Sequence, residues 1–282
     1  MTLRSSNIQT RSGLRSLSAI GWLLALLALS ACSSQFEARQ RAHALERQRT
    51  DSLRMTQAQM VQAAAVSYEQ LRQAAQDRGE LNRDPAALLR LRRIVDRLAA
   101  ASAGYRADAP SLGWTVNLIQ SDEVDAWCMP GGLIMVYSGL LSNTDLSDDE
   151  LATLLAHDMA HALLEHARER VSGRFEPGLL EGMGRPDAAA SQAVYEIVVG
   201  VVAVRAHESE ADRLGVELTA RAGYDPRVAV SMFLKLDQAR VRATAEWTRR
   251  HPMAPGRAAF LTAQADRVLP LYEQARTVFE KP

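Results

Sequence analysis

Apolar residues recur along this chain with two different periods, and the changes of period mark its elements. Met60, Ala64, Tyr68, Leu71 and Ala75 share one face at helical spacing, which predicts an amphipathic helix ended by Gly79. Asp84-Pro85 reads as an N-cap followed by proline at the first helical position, and Leu88, Leu91, Val95 and Leu98 give the next helix one apolar stripe. From Trp114 to Ser138 the pattern turns β-prone: "WTVNLIQ", "VDAWC" and "LIMVYS" are broken by Ser121-Asp122-Glu123 and Pro130-Gly131-Gly132. This predicts a small antiparallel meander of three strands. Ser147-Asp148-Asp149-Glu150 has capping-box form and starts a helix that runs to a stop at Gly173. "RFEPGLLEGMGRPD" reads as a loop. A second long helix is expected from about Ala189 to Gly223, with the run Ile197 to Val204 buried in it. Asp225-Pro226 caps another, and His251 to Pro282 is a proline-broken helical tail. The expected class is α+β, mainly helical, with the small sheet packed beside the helices.

The N-terminus has another character. Arg4, Arg11 and Arg15 precede "AIGWLLALLALSAC", and no acid occurs before Cys32. That apolar run is too short to span a bilayer and suits a signal peptide over residues 1–31. Leu29-Ser30-Ala31-Cys32 resembles the bacterial lipobox, which implies lipidation of Cys32. Ser33 in the next position, by resemblance to the bacterial sorting rule, implies the outer membrane and a chain facing the periplasm. Residues 32–59 are polar and read as a tether. Residues 60–282 form the packed domain: N-terminal helices over 60–105, strands over 114–138, two long helices over 147–223 and C-terminal helices over 224–282.

Composition narrows the class. The chain is 47% hydrophobic, 23% charged and only 5% aromatic, so aliphatic and alanine-rich helices must build the core. Basic and acidic residues number 33 each; removing the leader and its three arginines leaves a net charge of −3. Neither sign dominates, and no nucleic-acid partner is expected. With Cys32 lipidated, Cys128 has no partner for a disulfide.

The chemistry concentrates in "LLAHDMAHALLEHARER". His157 and His161 are four apart, about 40° in projection on a helix, so two imidazoles can share one metal ion. A catalytic zinc site uses three protein ligands and keeps one position for water. His166, about 180° round the same helix, faces away and reads as a surface or packing residue. In "HESEADRLG", Glu208 and Asp212 lie on one helical face. Glu208 can complete His, His, Glu ligation, and Asp212 can accept from a ligand imidazole's other nitrogen. His207 is about 100° round from Glu208 and is left aside.

Taken in order, four segments resemble the gluzincin peptidases of the HtpX/LoiP/BepA type, peptidase family M48. They are "DAWCMPGGLIMVYSGLL", "HDMAH" in the place of H-E-x-x-H, "ESEAD", and "GYDP" followed by "HPMAPGR". The resemblance implies a zincin-like fold and one zinc ion on His157, His161 and Glu208, with Asp212 beside them. It implies that His251 approaches the metal or the oxyanion, with Arg257 at the family's spacing. It also implies a substrate-pairing strand edge within Val124, Asp125, Ala126, Trp127, Gly131 and Gly132.

Asp158 departs from the pattern. The family's glutamate would take a proton from zinc-activated water and pass it to the leaving amine. Aspartate has the same chemistry on a stem shorter by about 1.5 Å, and a misplacement of about 1 Å can cost on the order of 10²-fold in rate. Two readings follow. The first is a lipid-anchored zinc endopeptidase that cuts misfolded or misassembled envelope proteins, with Asp158 and His251 in the reaction. The second is a zinc-holding chaperone or assembly factor of weak or no activity on the same scaffold.

Overall fold

A computed structural model describes residues 55–174, 192, 195–197, 204–239 and 246–279. The chain divides at Ser52 into two units, and every element below belongs to the second, Leu53–Pro282. The signal segment, Cys32, most of the tether and the loop over 175–187 lie outside the described residues. Among the described residues no helix is long and apolar enough to cross a membrane.

Helix α1 (Gln57–Asp77) opens on a capping box made by Thr56 and Gln59. Helix α2 (Pro85–Ala101) opens on Asp84, whose carboxylate accepts from the amides of Ala86 and Ala87. Strands β1 (Thr115–Ile119), β2 (Ala126–Met129) and β3 (Leu133–Tyr137) follow, then the short helix α3 (Ser138–Thr144). Helix α4 (Asp148–Leu163) starts at the Ser147–Glu150 capping box. Helices α5 (His166–Arg174), α6 (Arg205–Arg221), α7 (Ala229–Ala239), α8 (Glu246–Arg250) and α9 (Arg257–Phe279) follow.

The sheet is not the expected antiparallel meander. Its order is β1-β3-β2, with β3 parallel to β1 and antiparallel to β2. The link after β1 crosses the end of β3 before β2 begins, so β3 returns into the gap between them. Three contacts fix that crossing. The Gly139 amide donates to the Ser121 carbonyl at 2.7 Å, the Ser121 amide donates to Ser138 Oγ at 3.0 Å, and the Tyr137 amide donates to the Asp125 carbonyl at 3.0 Å. A Cβ on Gly139 would collide with the backbone of Asp122 and Glu123, so the crossing needs glycine there.

Both faces of the sheet are covered, which is why its strands read as nearly unbroken apolar runs. Val116, Leu118, Ala126, Cys128, Ile134 and Val136 join the main core with α2, α4, α6, α7 and α9. Ile119, Trp127, Met129 and Met135 pack on the other side with Met60, Ala64 and Tyr68 of α1.

Two helix boundaries also differ from expectation. The helix carrying the histidines does not run on to Gly173: α4 ends at Leu163, and Glu165 takes a left-handed φ of 58°. The second long helix does not run unbroken from Ala189, because Val204 is extended (ψ 137°) and α6 begins at Arg205. Val204 is also exposed, against the expected burial of the run that it ends, and residues 198–203 lie outside the described residues.

Helix α4 is apolar nearly all round, and it is buried nearly all round, as that pattern requires. It packs closely on α6 because Gly215 lies against its backbone. A Cβ on Gly215 would stand 2.9 Å from His157 Cα and 3.0 Å from its amide nitrogen. Gly215→Ala is therefore expected to push the two helices apart, at a cost of about 1–3 kcal/mol, and to weaken zinc binding. Denaturant midpoints and chelator competition, measured on the same preparation, check both effects.

Candidate metal centre

Helices α4 and α6 each contribute one face to a single buried point. His157 and His161 come from consecutive turns of α4, Glu208 from the first turn of α6, and His251 from the residue after α8. One ligand atom from each of these four lies within 4.8 Å of the others, and all four side chains are buried. His157 Nε2 is 3.1 Å from His161 Nε2 and 3.2 Å from His251 Nδ1. Glu208 Oε1 is 3.2 Å from His161 Nε2 and 3.0 Å from His251 Nδ1, and Glu208 Oε2 is 3.6 Å from His157 Nε2.

These separations fit zinc. Ligand bonds of about 2.0–2.2 Å in tetrahedral array place ligand atoms roughly 3.3–3.5 Å apart. Three imidazole nitrogens and a carboxylate, most of their separations at 3.0–3.6 Å and none beyond 4.8 Å, lack enough protons to satisfy one another in pairs, whereas one cation satisfies all of them at once. The arrangement has a fourth protein donor, His251, where three were expected with open coordination.

The surroundings hold the donors in place. Asp212 Oδ1 is 3.0 Å from His157 Nδ1. Arg257 donates to both oxygens of Asp212, at 2.8 and 2.7 Å, and its Nη2 is 2.9 Å from Glu208 Oε2. One guanidinium thus clamps the carboxylates of two successive turns of α6. Asp158, next to the first histidine, accepts from the Trp247 indole N–H at 3.1 and 3.3 Å, and His251 Nε2 is 3.6 Å from Asp158 Oδ1.

His166 is a correction to the sequence reading. It is fully buried, and its Nδ1 is 2.9 Å from His161 Nδ1. The break at Glu165 swings it back toward the helix it would otherwise have faced away from. No glycine in Leu163-Leu164-Glu165 marks that break. His166 Nε2 reaches Glu210 at 3.2 Å, and its ring stacks on His207 at 4.2 Å. His207 in turn contacts Glu169 at 2.9 Å, so it supports the centre from outside. Trp247 was also missed, although it lies one turn before His251, as its carbonyl accepts the His251 amide at 3.0 Å.

The segment expected at the substrate edge divides in two. Strand β2 is the outer strand on the metal side. Its Trp127 and Cys128 line, with Asp158, His161, Arg170, Arg250 and His251, a cavity of about 20 Å³. Val124 and Ala126 are buried in the main core. Asp125 takes a two-pronged pair from Arg250, at 2.6 and 3.0 Å, and Arg250 also donates to the Ala126 carbonyl at 2.8 Å. Asp125 therefore ties β2 to the His251 segment. Gly131 and Gly132 sit at the β2–β3 turn against Val61 and Trp114, away from the centre.

Charge follows this geometry. Burial works against ionised Glu208, but His251, His157 and His161 hold its carboxyl well below the usual range. Asp212 is lowered likewise, against its burial, by His157 and Arg257. Burial opposes a charged His157, yet Asp212 and Glu208 outweigh it and raise its pKa to about 9. Burial pushes His161 well down, and lowers His251 and His166 to about 4. The metal-free centre thus balances its carboxylates with a proton on His157, and a divalent ion would take over that role.

Burial also raises Asp158 to about 7, against the pull of His157, Arg250 and the Trp247 N–H. The folded chain then grips that proton more tightly than the unfolded chain, whose value is 3.8. The contribution of Asp158 to stability must fall as pH rises from about 4 to about 7 and level off above. In metal-free protein, Asp158→Asn is expected to gain stability relative to wild type across that window. Denaturant titrations at stepped pH check it.

The model of peptidase family M48 matches residues 85–265. Mitochondrial metalloendopeptidase OMA1 of Arabidopsis thaliana is 32% identical over 159 residues, covering 55% of this chain and 32% of that protein. The beta-barrel assembly-enhancing protease of Escherichia coli (strain K12) is 28% identical over 179 residues, covering 57% of this chain and 36% of that protein. The Saccharomyces cerevisiae OMA1 is 27% identical over 129 residues, 44% of this chain and 37% of its own. The chain thus spans about a third of the length of the curated relatives it matches.

Proposed function

The chain belongs to peptidase family M48, and from that premise we propose that it is a zinc-dependent endopeptidase that hydrolyses unfolded or misassembled envelope polypeptides. The observation that carries the reading is the convergence of His157, His161, Glu208 and His251 on one point, with the Asp158 carboxylate beside it. Zinc, when bound there, supplies a Lewis acid that polarises a carbonyl and acidifies water.

The chain's own residues supply the rest. His157, His161 and Glu208 would hold the ion, while Asp212 and Arg257 orient His157 and Glu208. Asp158 takes the proton of the attacking water and delivers it to the leaving amine. An extended client strand would lie along β2, whose residues 127 and 128 border the cavity beside Asp158. His251, a fourth donor within reach of the same point, would act as a gate to the centre.

The envelope setting rests on the sequence alone: the basic leader, the apolar run and Leu29-Ser30-Ala31-Cys32 support a lipid anchor on the outer membrane, facing the periplasm. The similarity to the Escherichia coli beta-barrel assembly-enhancing protease supports envelope clients.

Asp158 itself favours a second reading, a zinc-holding chaperone or assembly factor that binds clients without cutting them. The two separate in one experiment, with casein as the unfolded substrate and zinc measured per chain. The enzyme reading expects turnover that chelation abolishes, loss of zinc and of activity in His157→Ala, and a fall of at least about 10²-fold in Asp158→Asn with zinc retained. Equal cleavage by wild type and His157→Ala removes the enzyme reading. Stoichiometric zinc and casein binding without turnover, in wild type and in Asp158→Glu alike, establishes the second.

A further inference from the structure

Trp247 is fully buried, and its indole touches three parts of the centre at once. Its N–H is shared between Asp158 Oδ2 at 3.1 Å and Oδ1 at 3.3 Å. Its ring lies 4.6 Å from the His251 imidazole, tilted by 35°, and meets the His157 ring at 5.7 Å in an edge arrangement. Phe233 backs it at 5.2 Å. It stands one helical turn before His251, so one short segment presents both an imidazole to the metal group and a donor to the carboxylate.

The chemistry of that donor matters. An indole offers one N–H and no acceptor, while a carboxylate has about four lone-pair sites. A single shared N–H therefore fixes the carboxylate's tilt and leaves lone pairs free to take a proton. An arginine in this position would occupy both oxygens and depress their basicity. Arg250, the guanidinium at hand, is instead turned onto Asp125. Asp158 also has only two side-chain torsions, so one well-placed donor removes most of its remaining freedom.

We propose that Trp247 is a positioning residue for Asp158: its indole N–H holds the short carboxylate at the working angle toward the metal centre without neutralising it. The same segment therefore sets the aim of the base and the placement of His251 together. This inference rests on the proposed role of Asp158 in proton transfer.

The test has two arms on the full chain. In ¹⁵N-labelled, metal-free protein, the four tryptophans give separable indole signals, and Trp247→Phe identifies the one that concerns us. That proton is expected downfield and slow to exchange, and Asp158→Ala is expected to move it upfield and speed its exchange. A signal indifferent to Asp158→Ala overturns the proposal, whether or not the protein is an enzyme. In zinc-loaded protein, Trp247→Phe keeps an aromatic ring in the pocket. It is expected to lower kcat at least about tenfold with KM and zinc content unchanged, and to have no further effect in an Asp158→Asn background. An unchanged kcat, or an equal loss in that background, overturns it. Absence of turnover in zinc-loaded wild type would count against the enzyme reading alone and leave the indole signal to decide the present one.

Discussion

Burying two carboxylates one helical turn apart is costly, and Glu208 and Asp212 are buried in that way. Each needs a positive partner inside the protein. Arg257 supplies one, bridging both acids from the start of α9. The other positive charge must come from the imidazoles of α4 or from an ion they hold. A proton on His157 serves in the absence of metal, but three imidazole nitrogens crowded with a carboxylate match a divalent ion far better. The close α4–α6 packing at Gly215 is what brings the acids and imidazoles within reach. Metal binding and the packing of the two central helices are therefore one problem, as expected when ligands come from separate elements.

The centre is joined to the sheet by a second buried pair. Arg250 reaches across to Asp125 and to the Ala126 carbonyl, and the next residue is His251. The Arg250 anchor to Asp125, the His251 imidazole and the Trp247 contact to Asp158 thus share one short segment, residues 247–251. Any movement that withdraws His251 from the metal group acts on the strand edge and on Asp158 as well. Among the described residues the cavity beside that segment is about 20 Å³.

Much of the scaffold was legible in the pattern of residues. The stripe Met60-Ala64-Tyr68 is the buried face of α1, and the Asp84-Pro85 and Ser147–Glu150 signals start α2 and α4 where local hydrogen bonding demands. Local rules failed where a long-range contact decided. The order β1-β3-β2 depends on a crossing at Gly139 that no periodicity records. The end of α4 depends on Glu165 adopting a left-handed backbone, which lets His166 turn inward against His161.

What the sequence determined by itself is the donor inventory and its grouping within each helix. Two histidines at a spacing of four must share a face, as must Glu208 and Asp212, because the helical repeat is a local property of the backbone. Only the tertiary structure decided which faces meet and what else joins them. His251, Trp247 and Arg257 reach the centre from a segment remote in the chain, through side chains whose directions are set by packing. The physical reason is that hydrogen-bonding periodicity fixes the angle between neighbours on one helix, whereas the approach of separate elements is settled by burial, steric fit at positions such as Gly215, and charge balance across the whole core.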